Sequence, residues 1–435
     1  MQPKIIVLDD DPTGSQTVHS CLLLTRWDVA TLKSALADAA PLFFVLTNTR
    51  GMDAARAAAV TREVCVNLRE ALAGYAGPVL FVSRSDSTLR GHFPVETDVM
   101  NEVLGPFDAT LLTPAFFEGG RITRDSTHYL IVDGKPVPSH ETEFARDSVF
   151  GYTTAFLPDY VAEKTGGRVA AADVARLTLV ELRANKAGAW LNALRNNAIG
   201  VVDGESPDDY RLLADAVLSA AARGKRLLFR SAASLLTALA KLPPQPVAAK
   251  AFATLVRGGR PGVIIVGSHV TKTTAQLAVL LKERGVVGLP LDVARLPDGR
   301  ATVISELTAS IAHAHAQGLT PVVFTSRTEL KFASTDERLA FGEVVSGTLM
   351  DVVKRLPETL GFLISKGGIT SNDVLSSGLE LTSSRVLGQI LPGVTVVQTP
   401  PDHRLPRMPV VIFPGNVGGD DALATAYRRL NTRTA

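Results

Sequence analysis

The sequence predicts an α/β protein of two domains, each built on a mainly parallel sheet, with the ligand site in the interdomain cleft. Three observations carry this. The chain has 435 residues, more than a single hydrophobic core comfortably organises. Short apolar runs of strand length alternate with amphipathic helical patterns, the signature of βαβ units. The runs end, time after time, in polar or glycine-rich segments, as expected where open parallel sheets present ligand loops at the carboxyl ends of their strands.

In order along the chain, Ile5 to Leu8 is the first strand candidate and runs into Asp9, Asp10, Asp11, Pro12, Thr13 and Gly14. A turn before proline needs one aspartate, not three, so this acidic run points to a cation or to substrate hydroxyls. It is not a phosphate-binding loop of the G-x-x-x-x-G-K-[ST] kind. Leu42 to Leu46 is a second strand, ending in Thr47, Asn48, Thr49 and Arg50, and Ala54 to Ala73 reads as an amphipathic helix. Val79 to Val82 then leads into Ser83, Arg84, Ser85, Asp86, Ser87, Thr88, Leu89, Arg90 and Gly91. Two guanidiniums close together can grip an oxyanion, and the carboxylate of Asp86 lies between them in sequence. Ala109 to Leu112 is a further strand, and Asp133-Gly134 signals a hairpin turn. Leu179 to Asn196 reads as one helix, Ile199 to Asp203 as a strand, Pro207 to Arg223 as a helix and Arg226 to Arg230 as a strand.

Leu242-Pro243-Pro244-Gln245-Pro246 is the best linker in the chain, because prolines stiffen it and forbid regular structure. It divides residues 1–241 from 247–435, and the two parts are expected to close about it. The second part repeats the pattern. Val263 to Val266 ends in Gly267-Ser268, Pro321 to Phe324 in Thr325-Ser326-Arg327, Phe362 to Ile364 in Ser365-Lys366-Gly367-Gly368-Ile369-Thr370, and Val410 to Phe413 in Pro414-Gly415-Asn416. Helix patterns follow, from Lys272 to Arg284 and from Asp420. Glycine lets a phosphate approach the backbone, and helix amino termini aim N–H groups at it.

Composition narrows the function classes. The net charge of +2 provides no field for a nucleic acid or a membrane surface. Two cysteines, Cys21 and Cys65, do not make a disulfide framework. No stretch reaches the ~18 apolar residues of a membrane span, and charges interrupt the amino terminus before a signal-length apolar run, so a cytoplasmic protein is expected. G-x-S-x-G, H-E-x-x-H and C-x-x-C are absent. His313 and His315 stand at i, i+2 and do not share a helix face. A polar small-molecule domain beside a glycine-rich nucleotide domain suggests phosphoryl transfer, which needs a cation such as Mg²⁺ and a base near the acceptor hydroxyl. Asp10, flanked by two carboxylates, is the candidate base. Asp86, flanked by arginines that lower its pKa, is the candidate for orienting substrate hydroxyls. A nucleotide-responsive binding protein without turnover is the competing class. A Rossmann dehydrogenase is disfavoured, because no G-x-G-x-x-G follows either first strand.

The segments Asp10 to His19, Thr47 to Arg50, Asp86 to His92, His140 to Asp147, Gly267-Ser268, Gly367 to Ser371 and Gly415 to Gly419 together resemble the four-carbon acid sugar kinase family over nearly the whole chain. The resemblance implies an ATP-dependent kinase acting on the terminal hydroxyl of threonate, erythronate or an oxo-tetronate, with D-threonate first and D-erythronate or 3-oxo-tetronate as alternatives. It implies an amino-terminal acid-binding domain using Asp10, Arg50, Ser83, Arg84, Ser85 and Asp86, to which the loop adds Arg90. It also implies a carboxyl-terminal nucleotide domain using Ser268, Lys366, Gly367, Gly368, Ile369 and Gly415, beside which Thr370 and Asn416 lie in the same turns. Arg84 stands where many members carry lysine. The sequence names no metal ligands and fixes no oligomeric state, leaving a homodimer open.

Overall fold

The computed structural model describes residues 2–327, 332 and 334–431. The chain divides into two compact units, Met1–Pro244 and Gln245–Ala435.

In the first unit the apolar runs form strands β1 (Lys4–Asp9), β2 (Leu22–Leu24), β3 (Leu42–Leu46), β4 (Val79–Arg84) and β5 (Ala109–Thr113). A small antiparallel sheet follows, of β6 (Arg121–Arg124), β7 (Thr127–Val132) and β8 (Lys135–Pro138). The β7–β8 turn is Asp133-Gly134, both at positive φ, as a tight two-residue hairpin requires. The main sheet is completed by β9 (Ala175–Leu177), β10 (Ala198–Val202) and β11 (Leu227–Ser231). Its order is β2-β3-β1-β4-β11-β5-β10-β9, parallel throughout. The chain passes from β3 on one side of β1 to β4 on the other, so β1 is a topological switch, and a crevice is expected beyond its carboxyl end.

The strands are apolar on both faces because helices cover both. Helix Ala54–Ala71, capped by Asp53 accepting from the Arg56 amide, buries Ala57, Val64, Cys65 and Leu68. Val64, Cys65 and Leu68 join Phe43, Val45, Phe81 and Met100 in one core. Cys21 and Cys65 are both buried thiols. The segment 179–196 forms two helices, Leu179–Arg183 and Ala187–Ala193, rather than one. Asn185 between them adopts φ +59°, a left-handed conformation that ends a helix.

The second unit holds β12 (Val263–Val266), β13 (Val286–Leu291), β14 (Thr320–Thr325), β15 (Leu363–Lys366), β16 (Ser383–Leu391), β17 (Val394–Gln398) and β18 (Pro409–Phe413). The order is β13-β14-β12-β15-β18-β17-β16, with the first five parallel and the last two joined antiparallel. Helix Thr271–Leu280 follows β12, and Ala422–Leu430 follows β18. No helix among the described residues is long and apolar enough to cross a membrane.

Candidate functional site

Register in the first unit brings the polar strand ends together. Asp9 pairs with Leu46 on one side and Arg84 on the other, and Arg84 pairs with Ser231. The backbone continues the alignment beyond the strands. The Thr47 amide donates to Asp9 O at 2.9 Å, the Arg50 amide to Asp10 O at 3.2 Å, and the Ser85 amide to Ser231 O at 2.9 Å.

The three consecutive aspartates are separated by their partners. Arg84 Nη1 donates to Asp9 Oδ1 at 3.1 Å and lies 3.6 Å from Asp10. Arg50 grips Asp10 with two donors, Nε at 3.1 Å and Nη2, and sits 3.5 Å from Asp11. Ser85 Oγ donates to Asp10 Oδ2 at 2.8 Å. Asp11 accepts from the Thr13 amide at 2.8 Å and its hydroxyl at 2.5 Å, which forms the DPTG turn. Gly14 is required there, since a Cβ would stand 2.1 Å from the Asp9 carboxylate.

Sequence adjacency suggests that Asp9 and Asp11 dominate the surroundings of Asp10, but the guanidiniums of Arg50 and Arg84 are what touch it. Asp9 is pushed up to about 7 by burial, which outweighs Arg84, with Asp10 and Asp11 adding to the rise. Asp11 is held below the usual range, because Arg50, Arg84 and Thr13 overcome its burial.

Arg50 and Arg84 are likewise not free clamps. Arg84 is only 4 % exposed, and both guanidiniums are already on aspartates. Ser83 lies inside β4 and turns its hydroxyl toward Glu96 Oε2 at 3.4 Å. Asp86 accepts from the Thr88 amide and hydroxyl at 3.2 and 2.5 Å and from Arg90 Nε at 2.7 Å. Burial would raise its pKa, but Arg50 and Arg90 prevail and hold it far below the ordinary carboxylate range. Arg90 also lies 3.6 Å from Asp147 and over the Phe144 ring at 5.0 Å, which binds the HETEFARD segment to this loop.

Two buried residues of the site are not apparent in the sequence. Glu96 accepts from Thr49 at 2.5 Å and is pushed up to about 7 by burial and by Asp10. Arg230, 1 % exposed, donates to Asp86 O, Ser85 Oγ and Arg90 O at 3.1, 3.1 and 2.8 Å. Arg230 ends a buried strand with a charge, the same signal that marks Arg50 and Arg84. Glu96 sits on a helix and gives no such signal.

In the second unit the carboxyl ends of β12, β14, β15 and β18 align, with Val266 opposite Phe324 and Lys366, and Lys366 opposite Phe413. Three small-residue turns converge. Thr273 Oγ1 reaches Ser268 Oγ at 3.3 Å and Gly415 O at 3.0 Å, and the Gly367 amide donates to Phe413 O at 2.9 Å. A Cβ on Gly267 would lie 2.3 Å from Thr370 Oγ1, and one on Gly367, at φ +118°, 3.0 Å from Ser268 Cβ. Gly368 opens helix Gly368–Asp373. Ile369 and Asn416 are exposed beside these turns, and so is His269. The Lys366 side chain is turned inward: its ammonium donates to Pro414 O and to Gly415 O at 3.1 Å and lies over the Phe413 ring. Burial, with help from Lys272, pushes it down to about 7.

Compared with known proteins, residues 5–239 match a sugar-binding N-terminal domain and residues 263–423 a nucleotide-binding C-terminal domain. The first match alone spans more than half of the chain. The chain belongs to the four-carbon acid sugar kinase family. It is 26% identical to a D-threonate kinase of Bordetella bronchiseptica over 443 residues, covering 99% of this chain and 98% of that one. It is 31% identical to a D-erythronate kinase of Heliobacterium modesticaldum over 167 residues, covering 37% and 36%. Among solved structures, a Haemophilus influenzae protein of the DUF1537 family matches with TM-score 0.66 at 17% identity, covering 98% of this chain and all of that one. A Salmonella typhimurium LT2 protein named as a tRNA synthase matches with TM-score 0.70 at 18% identity, covering 99% and 100%. Those two likenesses establish the fold alone.

The kinase relatives imply ATP as phosphoryl donor, and phosphoryl transfer of that kind commonly uses a magnesium ion. The convergent turns around Ser268, Gly367 and Gly415 suit phosphates. Magnesium finds no preformed cage: among the described residues no three Asp, Glu, His or Cys side chains are grouped to hold a cation. Asp9 and Asp10 are paired with arginines, and Asp11 with Thr13 and Arg50. An ion carried on nucleotide phosphates needs few protein ligands, and no residue is assigned to one.

Proposed function

We propose that this protein is an ATP-dependent kinase that phosphorylates the 4-hydroxyl of a four-carbon sugar acid, D-threonate before D-erythronate or 3-oxo-tetronate. The likeness to a D-threonate kinase along 99% of the chain carries the choice of substrate. The first unit supports an acid site, with Asp10, Ser85, Asp86 and Arg90 on loops at the carboxyl edge of its sheet. The second supports a nucleotide site, through the backbone of Gly267-Ser268, Lys366 to Thr370 and Gly415-Asn416.

In the reaction the acceptor oxygen forms a bond to the γ-phosphorus, the bridging P–O bond to the β-phosphate breaks, and ADP leaves. The hydroxyl proton passes to a carboxylate late in a loose transition state. Asp10 is the proposed base and Asp86, strongly anionic on Arg90, the group that orients substrate hydroxyls. The test is coupled ADP release over D-threonate, L-threonate, D-erythronate and 3-oxo-tetronate, with product mass locating the phosphate. D-threonate is expected to give the highest kcat/KM. A preference for D-erythronate would transfer the assignment to that acid. Binding without turnover of any four-carbon acid would sink the kinase reading.

A further inference from the structure

The loop Asp86 to Arg90 has an unusual hydrogen-bond ledger. All five of its consecutive carbonyl oxygens accept from a side chain. Asp86 O accepts from Arg230 Nη1 at 3.1 Å, Ser87 O from His128 Nε2 at 2.7 Å, Thr88 O from Tyr152 Oη at 2.9 Å, Leu89 O from Tyr160 Oη at 2.8 Å, and Arg90 O from Arg230 Nη2 at 2.8 Å. The four donors come from separate segments and all are buried. Arg230 lies on β11, His128 lies on β7, Tyr152 follows the HETEFARD segment, and Tyr160 lies on helix Leu157–Lys164.

The amide side of the ledger is different. The Ser85 amide goes to Ser231 O, that of Thr88 to the Asp86 carboxylate and that of Leu89 to Asp86 O. The amides of Asp86, Ser87, Arg90 and Gly91 have no hydrogen-bond partner among the described residues. Orphaned donors in a largely buried loop need an acceptor, and successive free amides in a tight loop make an anion-binding concavity. The conformation is held against strain, because Leu89 sits at φ +67° and Gly91 at φ +121°.

We propose that His128, Tyr152, Tyr160 and Arg230 are positioning residues for the acid substrate: by engaging every carbonyl from Asp86 to Arg90 they leave a loop whose backbone offers the substrate carboxylate only donors. A free carbonyl oxygen in the loop would repel that carboxylate, and an engaged one has its lone pair directed at a donor. The donors keep their protons. Burial pushes both Tyr152 and Tyr160 up to about 12, and it pushes His128 down to about 4. The neutral His128 ring therefore carries its proton on Nε2, facing Ser87 O, and accepts from Thr123 Oγ1 on Nδ1 at 3.0 Å. The proposal rests on the acid-site reading of the first unit.

The test uses the full chain, initial rates with D-threonate, D-erythronate and ATP, and calorimetric titration with each acid. Tyr152→Phe and Tyr160→Phe each remove one hydroxyl. His128→Leu removes a donor and His128→Gln restores one. Each loss is expected to raise the acid KM, and the calorimetric Kd, about tenfold, the scale of one hydrogen bond to a buried carbonyl. The ATP KM should stay within about twofold, and His128→Gln should recover most of the loss. Folded variants with wild-type acid affinity would overturn the proposal, as would acid and ATP KM rising together, or His128→Gln behaving like His128→Leu. Should His128→Leu not fold, the two tyrosine variants decide. Wild-type protein that binds an acid without turning it over removes the kinase reading and leaves this proposal to the calorimetry. Wild-type protein that binds neither acid overturns both.

Discussion

Gly91→Ala is the sharpest probe of the acid site. Gly91 sits at φ +121°, and an added Cβ would stand 2.2 Å from Ser85 Oγ and 3.1 Å from Asp10 Oδ2. Ser85 must then give way, and with it the 2.8 Å hydrogen bond to Asp10. Losing a hydrogen bond to a charged group costs about 1.5–3 kcal/mol, and forcing a residue with a side chain into this backbone region costs about 1–3 kcal/mol more. If only the first cost is felt at the site, kcat/KM for the acid falls by roughly 10- to 100-fold, at about 1.4 kcal/mol per decade. The second cost appears as a lower melting temperature. A double-mutant cycle separates the two. In a Ser85→Ala background the offending oxygen is absent and the nearest remaining Ser85 atom is Cβ at 3.6 Å, so Gly91→Ala should there cost stability while changing kcat/KM little further. Gly188→Ala is the control, having open space around its Cβ. If the Gly91→Ala and Ser85→Ala losses in kcat/KM simply add, the proposed displacement of Ser85 is wrong.

In single turnover Asp10→Asn should slow the chemical step by roughly 10²-fold or more, as for a positioned base, whereas Asp86→Asn should mainly weaken acid binding; the reverse pattern exchanges the roles. Acid affinity should strengthen as pH falls from 8 to 6, by at most about tenfold per unit for one linked proton. The sign follows from Asp9, near 7 in the folded protein, which is ionised above that pH and neutral below it. Asp9→Asn should reduce the slope to the part that Glu96, also near 7, contributes, and calorimetry in buffers of different ionisation enthalpy should detect less proton uptake in that variant than in the wild type. In the second unit Gly267→Ala, whose Cβ would press on Thr370 Oγ1 at 2.3 Å, should weaken ADP binding at least tenfold; unchanged ADP titration would remove these turns from the nucleotide site.

What the sequence made legible was what local chemistry decides. Buried parallel strands are short apolar runs, and those from Ile5 to Leu8, Leu42 to Leu46 and Val263 to Val266 stand out for that reason. β16 escapes the same search because its burial alternates residue by residue, a period-two pattern rather than a run. β2 and β9, three residues each, are too short to register. In the site, the Asp86–Arg90 pair is visible because its partners lie four residues apart. Arg84 on Asp9 and Arg50 on Asp10 are not, because β-sheet register brings together residues 75 and 40 positions apart. The carbonyl donors to the Asp86–Arg90 loop are harder still, since His128, Tyr152 and Tyr160 look like ordinary core residues until the loop is in place.

The arrangement of charge explains why backbone amides matter here. The web around Asp10 holds four guanidiniums, Arg50, Arg84, Arg90 and Arg230, and six carboxyl groups, Asp9, Asp10, Asp11, Asp86, Glu96 and Asp147. With every group ionised the web carries two excess negative charges, which oppose an incoming carboxylate. Two features offset this. Asp9 and Glu96 can each take up a proton near neutral pH, which brings the web to balance, and the free amides of Asp86, Ser87, Arg90 and Gly91 add dipoles without a net charge of their own. An arginine left unpaired would bind the acid more strongly, but it would also bind phosphate and other anions that a carbohydrate kinase meets in quantity. Donors fixed by His128, Tyr152, Tyr160 and Arg230 can instead discriminate by shape, because amides reward only an oxygen at the right distance and angle. Recognition of the acid carboxylate thus depends on how rigidly those four side chains hold one loop.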